Sequence, residues 1–212
     1  MSVEDEKRLA AEAAAELVGD GMTIGLGTGS TVGYFLAAIA RRGLRLRCVA
    51  TSPRTEASGR ELGLTVEAFD TLDRLDLAVD GADQVASDGW VVKGGGGAHT
   101  REKVVAAAAD RFVVIVSSDK LVEAVEPPVP LEILAFGVAA TLSRIAPAEL
   151  REAAVSPDGG LIADYLGPVG EPAELAARLA ATPGVVEHGL FPPELVAEVF
   201  VARDTEVIRR TR

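Results

Sequence analysis

Three short segments carry residues whose types and spacing suit chemistry on a small anion. The first, Gly25-Leu26-Gly27-Thr28-Gly29-Ser30-Thr31, lies between an apolar run and a helical pattern. Glycines let the backbone approach an anion closely, a helix N-terminus offers unpaired N–H groups, and Thr28, Ser30 and Thr31 add hydroxyl donors. A plain glycine-rich turn is the competing reading. The segment fails the dinucleotide fingerprint, because Ser30 stands at the third glycine position and no acid lies about 20 residues further on; it also has no P-loop lysine. A sugar phosphate is therefore favoured over NAD or ATP.

The second segment is Asp80-Gly81-Ala82-Asp83, directly after the apolar run Leu75–Val79. Ligands of open α/β sheets bind outside the carboxyl ends of strands, and two acids separated by small residues there can hold sugar hydroxyls or move protons. An Asx turn capped by its own aspartates is the alternative. The third is Lys93-Gly94-Gly95-Gly96-Gly97-Ala98-His99-Thr100-Arg101-Glu102-Lys103. Each glycine costs about 0.5–1 kcal/mol relative to alanine in regular structure, so four in succession point to backbone that approaches a ligand rather than to a bland loop. A cation, a line of N–H donors and the carboxylate of Glu102 can then converge on one substrate.

These segments need elements to position them. Leu9 to Val18 recur at helical spacing and Gly19-Asp20-Gly21 stops that helix before a strand over Met22–Leu26. A helix follows over Thr31–Arg41, then a strand near Leu46–Ala50, a helix near Thr55–Leu62, and strands at Leu64–Val66 and Leu75–Val79. Gln84–Val92 reads as a hairpin turning at Ser87-Asp88-Gly89, Glu102–Ala109 as a helix and Arg111–Val116 as a strand. Alternating strands and helices predict a doubly wound, mostly parallel Rossmann-like α/β sheet. From Pro127 the pattern changes to strand Val129–Leu134, helix Phe136–Ile145, strands near Glu152–Val155 and Leu161–Tyr165, helix Pro172–Ala181 and strand Gly184–Leu190. That order, β-α-β-β-α-β, predicts a smaller ferredoxin-like α+β domain. Leu195–Val201 and Glu206–Arg209 read as a hairpin returning to the first sheet. The predicted domains are 1–126 with 194–212, and 127–193.

Composition excludes other classes. The 212 residues are 48% hydrophobic and 25% charged, a globular mixture. Lys and Arg number 21 against 32 Asp and Glu, a net charge of −11 that disfavours nucleic acid and anionic lipid as partners. Cys48 is the single cysteine, so no intrachain disulfide forms and a cytoplasmic setting is expected. The acidic start lacks the basic region of a signal peptide and no run approaches about 18 apolar residues, so no membrane segment is predicted. The two histidines, His99 and His188, fall in no metal-ligand spacing, and no metal is expected. Cys48 reads as a small core hydrophobe, Trp90 as hairpin packing, and the arginines at 41, 42, 45 and 47 as a solvated helix end and strand edge.

Taken together and in this order, Gly25–Thr31, Thr51-Ser52, Asp80–Asp83, Lys93–Lys103, Ser118-Asp119-Lys120 and the run from Pro183 to Phe191 resemble the A-type ribose-5-phosphate isomerase family. The resemblance spans nearly the whole chain. It implies interconversion of ribose 5-phosphate and ribulose 5-phosphate through an enediol, without metal or organic cofactor, in a cytoplasmic homodimer or homotetramer. It implies Glu102 as the base, with Asp80, Asp83 and Lys93 also in the catalytic set. Substrate contacts are implied at Thr28, Gly29, Ser30, Thr31, Gly81, Ala82, Gly94, Gly95, Gly96 and Lys120. Three positions depart from the family pattern: Gln84 replaces a usual Glu, His99 a usual Leu and Gly160 a common Asn.

Lys7 is a further candidate near the phosphate, although an exposed helix lysine is the favoured reading. A non-catalytic sugar-phosphate sensor is the main rival, but the two predicted domains leave no output module and a sensor would not need Glu102 behind a glycine cradle. An α/β enzyme binding nucleotide or acyl-CoA is the third reading.

Overall fold

The computed structural model describes residues 1–211, with side chains at all of these except positions 153 and 154. The chain divides into two compact units, the first made of Met1–Ala82, Glu102–Lys120 and the segment from Glu194 onward, the second of Asp83–Arg101 and Leu121–Pro193.

The first unit is built on a seven-stranded sheet. From one edge its strands are Val66–Glu67, Arg47–Ala50, Thr23–Leu26, Leu77–Asp80, Phe112–Ser117, Glu198–Arg203 and Glu206–Thr211. All neighbours are parallel except the last pair, an antiparallel hairpin, so the predicted return of the C-terminal segment to this sheet is what forms. The chain order reverses between Thr23–Leu26 and Leu77–Asp80, and that switch point opens a crevice at the carboxyl ends of the strands. Ile24, Leu26, Leu77, Val79, Val113 and Ile115 form a buried core with Ala10, Ala14, Phe35 and Ile39 of helices Val3–Ala15 and Ser30–Arg41. Gly25 points to the other face, where an added Cβ would come within 2.3 Å of Val105 Cγ1 on helix His99–Ala108. Helices therefore cover both faces, as the near-continuous apolar strands require.

The second unit contains the predicted β-α-β-β-α-β order: Val129–Ile133, Val138–Arg144, Ala148–Val155, Leu161–Tyr165, Pro172–Ala180 and Val185–His188. Its four strands pair antiparallel, with Val129–Ile133 and Leu161–Tyr165 in the centre, and a core of Leu131, Ile133, Ile145, Leu175 and Leu179 lies beneath. A second small sheet joins Gln84–Ala86, Val91–Val92, Leu121–Val122 and Leu190–Phe191.

That small sheet explains how the units differ from the predicted domains. Residues 83–101 and 121–126, expected in the first domain, group with the second. Gln84–Val92 is the hairpin foreseen, but its strands pair with Leu121–Val122 on one side and Leu190–Phe191 on the other. Strands of two or three residues are too short to show a period in sequence. Other boundaries move for local reasons. Helix His99–Ala108 starts one turn before Glu102, directly after Gly97 with its left-handed φ of 74°. Ala148–Val155 starts before Glu152, and the expected Gly184–Leu190 strand is split at Gly189, where an added Cβ would lie 2.1 Å from the Lys93 carbonyl oxygen.

Candidate active site

The first unit assembles one set of the predicted groups at the carboxyl edge of its sheet. Strand Thr23–Leu26 leads into Gly27 and Thr28, strand Arg47–Ala50 into Thr51 and Ser52, strand Leu77–Asp80 ends on Asp80, and strand Phe112–Ser117 leads into the turn Ser118–Lys120. Because these strands are parallel, all four ends share one edge.

Asp80 is 2% exposed, and its Oδ1 accepts from the N–H groups of Thr28 (3.0 Å) and Gly81 (2.7 Å). The Thr28 bond spans the switch point. Gly27 makes it possible: a Cβ there would stand 2.0 Å from Asp80 Cγ and Oδ1. Beside it, hydroxyls form a partly buried network. Thr28 Oγ1 lies 2.8 Å from Thr51 Oγ1, Thr55 Oγ1 donates to the Gly27 carbonyl at 2.8 Å, and Ser52 caps helix Pro53–Glu61 through the Thr55 N–H. Gly29, at φ 131°, turns the chain into helix Ser30–Arg41, whose N-terminus has no side-chain cap and no acid in its first turn. Anions are favoured at such an end. A cavity of about 160 Å³ opens there, lined by Gly29, Ser30, Gly33, Arg54, Thr55 and Ser58 among others. Arg54, one of its lining residues, adds a cation that no sequence motif marks.

Glu102 belongs to the same unit and is 4% exposed. Val105, three residues on and on the same helix face, covers Gly25. The helix leads into strand Phe112–Ser117, which is parallel to Leu77–Asp80, so Glu102 sits one turn nearer the carboxyl edge than Val105. Lys120 extends from the turn after that strand. Its Nζ is 3.5 Å from Asp119, whose carboxylate accepts from Ser117 Oγ. The predicted exposed Lys7 is instead only 17% exposed at its side chain, with Nζ 2.6 Å from Glu4 Oε1.

The second unit holds the other set. Asp83 Oδ2 accepts from the Gly95 N–H at 2.7 Å, and the Gly97 N–H donates to the Gly94 carbonyl at 3.0 Å. These two amides shape the cradle. Arg151, which no sequence motif marks, donates to the carbonyls of Gly94 (2.9 Å) and Gly95 (3.0 Å) while paired with Asp164. The Asp164 hydrogen bond, and to a lesser extent the charges of Asp164 and Asp83, outweigh burial and raise its pKa above the ordinary arginine value. Lys93 is 3% exposed, with Nζ 5.7 Å from the centroid of the Phe191 ring. An ammonium held over a ring and out of water acts on nearby charge more strongly than a solvated one.

The three departures from the family pattern each find a local cause in the second unit. The Gln84 amide donates to the Glu126 carbonyl (2.8 Å) and accepts from the Glu126 N–H (2.9 Å), two roles a carboxylate cannot combine. His99 is fully buried against Gly94, where a Cβ would come within 2.6 Å of Nδ1. Gly160 leaves room for Glu132, since a Cβ would meet Glu132 Oε1 at 2.2 Å. Glu132, also missed in sequence, is 3% exposed and accepts from Thr100 and Ser156 hydroxyls.

Among the described residues no group of three or more His, Cys, Asp or Glu side chains is placed to hold a metal ion, and no helix is long and apolar enough to cross a membrane. A parallel sheet that gathers buried carboxylates and hydroxyls beside an open helix N-terminus defines the class: an α/β enzyme for a small anionic substrate. The comparisons narrow it. Residues 47–206 match the model of the family described as ribose 5-phosphate isomerase A (phosphoriboisomerase A). Ribose-5-phosphate isomerase A of Caulobacter vibrioides is 44% identical, over 99% of both chains. The structure of ribose 5-phosphate isomerase A from Methanocaldococcus jannaschii is 31% identical with a TM-score of 0.94 over 100% of both chains. A D-ribose-5-phosphate isomerase solved in complex with phospho-erythronic acid is 32% identical with a TM-score of 0.95, again over 100% of both. The chain belongs to the ribose 5-phosphate isomerase A family, and its reaction is the interconversion of ribose 5-phosphate and ribulose 5-phosphate in the pentose phosphate pathway.

Proposed function

We propose that Glu102 is the base of this isomerisation and that it carries one proton between C2 and C1 of the opened sugar. The carboxylate removes the C2 proton of the aldose, leaving an enediolate, and returns it to C1 while the hydroxyl proton passes between O1 and O2. Asp80 assists ring opening. The resemblance assigns Lys93, Asp83 and the cradle of Gly94, Gly95 and Gly96 to the catalytic and substrate-binding set; an ammonium or amide donor that meets the charge developing on the oxygens contributes about 10²–10³ in turnover. The phosphate is held by Thr28, Gly29, Ser30, Thr31 and Lys120, with Gly81 and Ala82 leaving access to the sugar. Arg54, beside the uncapped helix end, strengthens that anion site.

The observation that carries this reading is the placement of Glu102, nearly buried and one turn toward the carboxyl edge from Val105. A related isomerase holds phospho-erythronic acid, a phosphorylated sugar acid, which supports a phosphorylated substrate. The resemblance also implies a homodimer or homotetramer working in the cytoplasm, and light scattering reads the assembly. The reading is tested by following ketose formation from ribose 5-phosphate in heavy water, with and without a chelator. Unchanged rate under chelation, with partial deuterium entry at C1 of ribulose 5-phosphate, is expected. Loss of the reaction with chelator would contradict it.

A further inference from the structure

We propose that Glu6 is a positioning residue for Lys120, fixing the point from which that lysine reaches the anionic end of the substrate. The inference rests on the reading of Lys120 as a phosphate contact. Helix Val3–Ala15 opens with three acids, Glu4, Asp5 and Glu6, and of these Glu6 is the buried one, at 7% exposure. A carboxylate taken from water is costly unless hydrogen bonds replace the lost hydration. Glu6 receives three: Oε2 accepts from the N–H and the hydroxyl of Ser118, both at 2.8 Å, and Oε1 from the N–H of Asp204 at 2.9 Å.

Ser118 is the first residue of the Ser118–Lys120 turn, and Asp204 sits at the left-handed corner (φ 53°) of the C-terminal hairpin. The carboxylate thus joins segments 112 and 198 residues away in sequence. Burial pushes the Glu6 carboxyl up, but the Asp204 and Ser118 donors more than offset it and hold the carboxyl below its ordinary value, so Glu6 is charged near neutrality. A lysine is a point charge on a long flexible stem, and only its root and its head can be constrained. The root is fixed two residues upstream by Glu6 through both donors of Ser118. The head is held by Asp119, itself bonded to Ser117. Ser117, Ser118 and Asp119 are thereby all engaged in the turn that carries Lys120.

A purely structural link between helix and hairpin would lower stability and leave the substrate's phosphate grip alone. A positioning role moves KM, because the phosphate is gripped equally in ground and transition states. The test is steady-state kinetics on Glu6→Gln, Lys120→Ala and the double variant, with inhibition by inorganic phosphate as a second readout. Lys120→Ala is expected to raise KM for ribose 5-phosphate by about tenfold or more, the scale of one charge-assisted bond, with a smaller change in kcat. Glu6→Gln is expected to raise KM roughly three- to tenfold and to weaken phosphate inhibition in proportion, with the double variant no worse than Lys120→Ala alone. Ser118→Ala, which removes one donor, should give a smaller KM change in the same direction if Glu6→Gln folds poorly. KM effects that multiply in the double variant, or a Glu6→Gln enzyme with unaltered KM and phosphate inhibition, would overturn the proposal while leaving Lys120 in place. Unaltered KM in Lys120→Ala would instead remove Lys120 from the phosphate site, and the proposal with it.

Discussion

Gly27→Ala isolates the close approach on which the Asp80 carboxylate depends. The new methyl carbon would stand 2.0 Å from Asp80 Cγ and Oδ1, far inside contact distance, and the nearby atoms belong to a side chain that is 2% exposed. Asp80 must then rotate away, and its Oδ1 loses the N–H groups of Thr28 at 3.0 Å and Gly81 at 2.7 Å. Hydrogen bonds to a charged group are worth about 1.5–3 kcal/mol each, so the two together represent roughly 3–6 kcal/mol. For a chain of this length 1 kcal/mol moves the melting temperature by about 2–4 °C, and a fall of at least ~6 °C is expected. Catalysis should suffer more than stability, with kcat/KM lower by about 10²–10³ as the edge loses a fixed carboxylate. Thermal melting and a ketose-forming assay on the same preparation give both numbers. Gly33→Ala is the stability control: it is helical, meets nothing within 4 Å, and should hold or raise the melting temperature. A Gly27→Ala enzyme that melts with the parent and turns over normally would refute the reasoning.

Two further outcomes follow from charge and burial. Burial pushes the Glu198 carboxyl up, but Arg209 and Arg111 together bring it below its ordinary value of 4.5. A depressed folded value means that its stabilisation is complete above pH 4.5 and is lost as pH falls through the folded value. The melting gap between the parent and Glu198→Gln should therefore be constant near neutrality and close below pH 4.5; a gap that stays constant in acid would contradict this. The Cys48 thiol is fully buried, and burial, with a smaller push from Glu67, raises it to about 11. A thiol reagent at mildly alkaline pH should label unfolded chain quickly and native chain only at the rate of opening, whereas rapid labelling of native protein would contradict the burial.

What was legible in the sequence had a local signature. The glycine runs at 25–29 and 94–97 stand out because so many glycines have no use in regular structure, and the two β-α patterns follow from hydrophobic period. The Asp80 site was only half legible. The acids were marked by their place after a strand, but the fit of Asp80 against Gly27 joins residues 53 positions apart and leaves no trace along the chain. Arg151, Glu132, Arg54 and Glu6 are silent in sequence for the same reason, since nothing in their neighbours along the chain sets them apart. Lys7 differs from the exposed helix lysine expected, because its ammonium is paired with Glu4 one turn earlier. The small sheet and the unit boundaries it sets were hidden in strands too short to carry a pattern.

The measurement closest to the central claim is the turnover of Glu102→Gln on ribose 5-phosphate, read with its melting temperature. The amide matches the carboxylate in shape and cannot take a proton, so kcat should fall by roughly 10²–10⁴ or more while melting and KM stay near those of the parent. Turnover within a few fold of the parent would show that another group moves the proton.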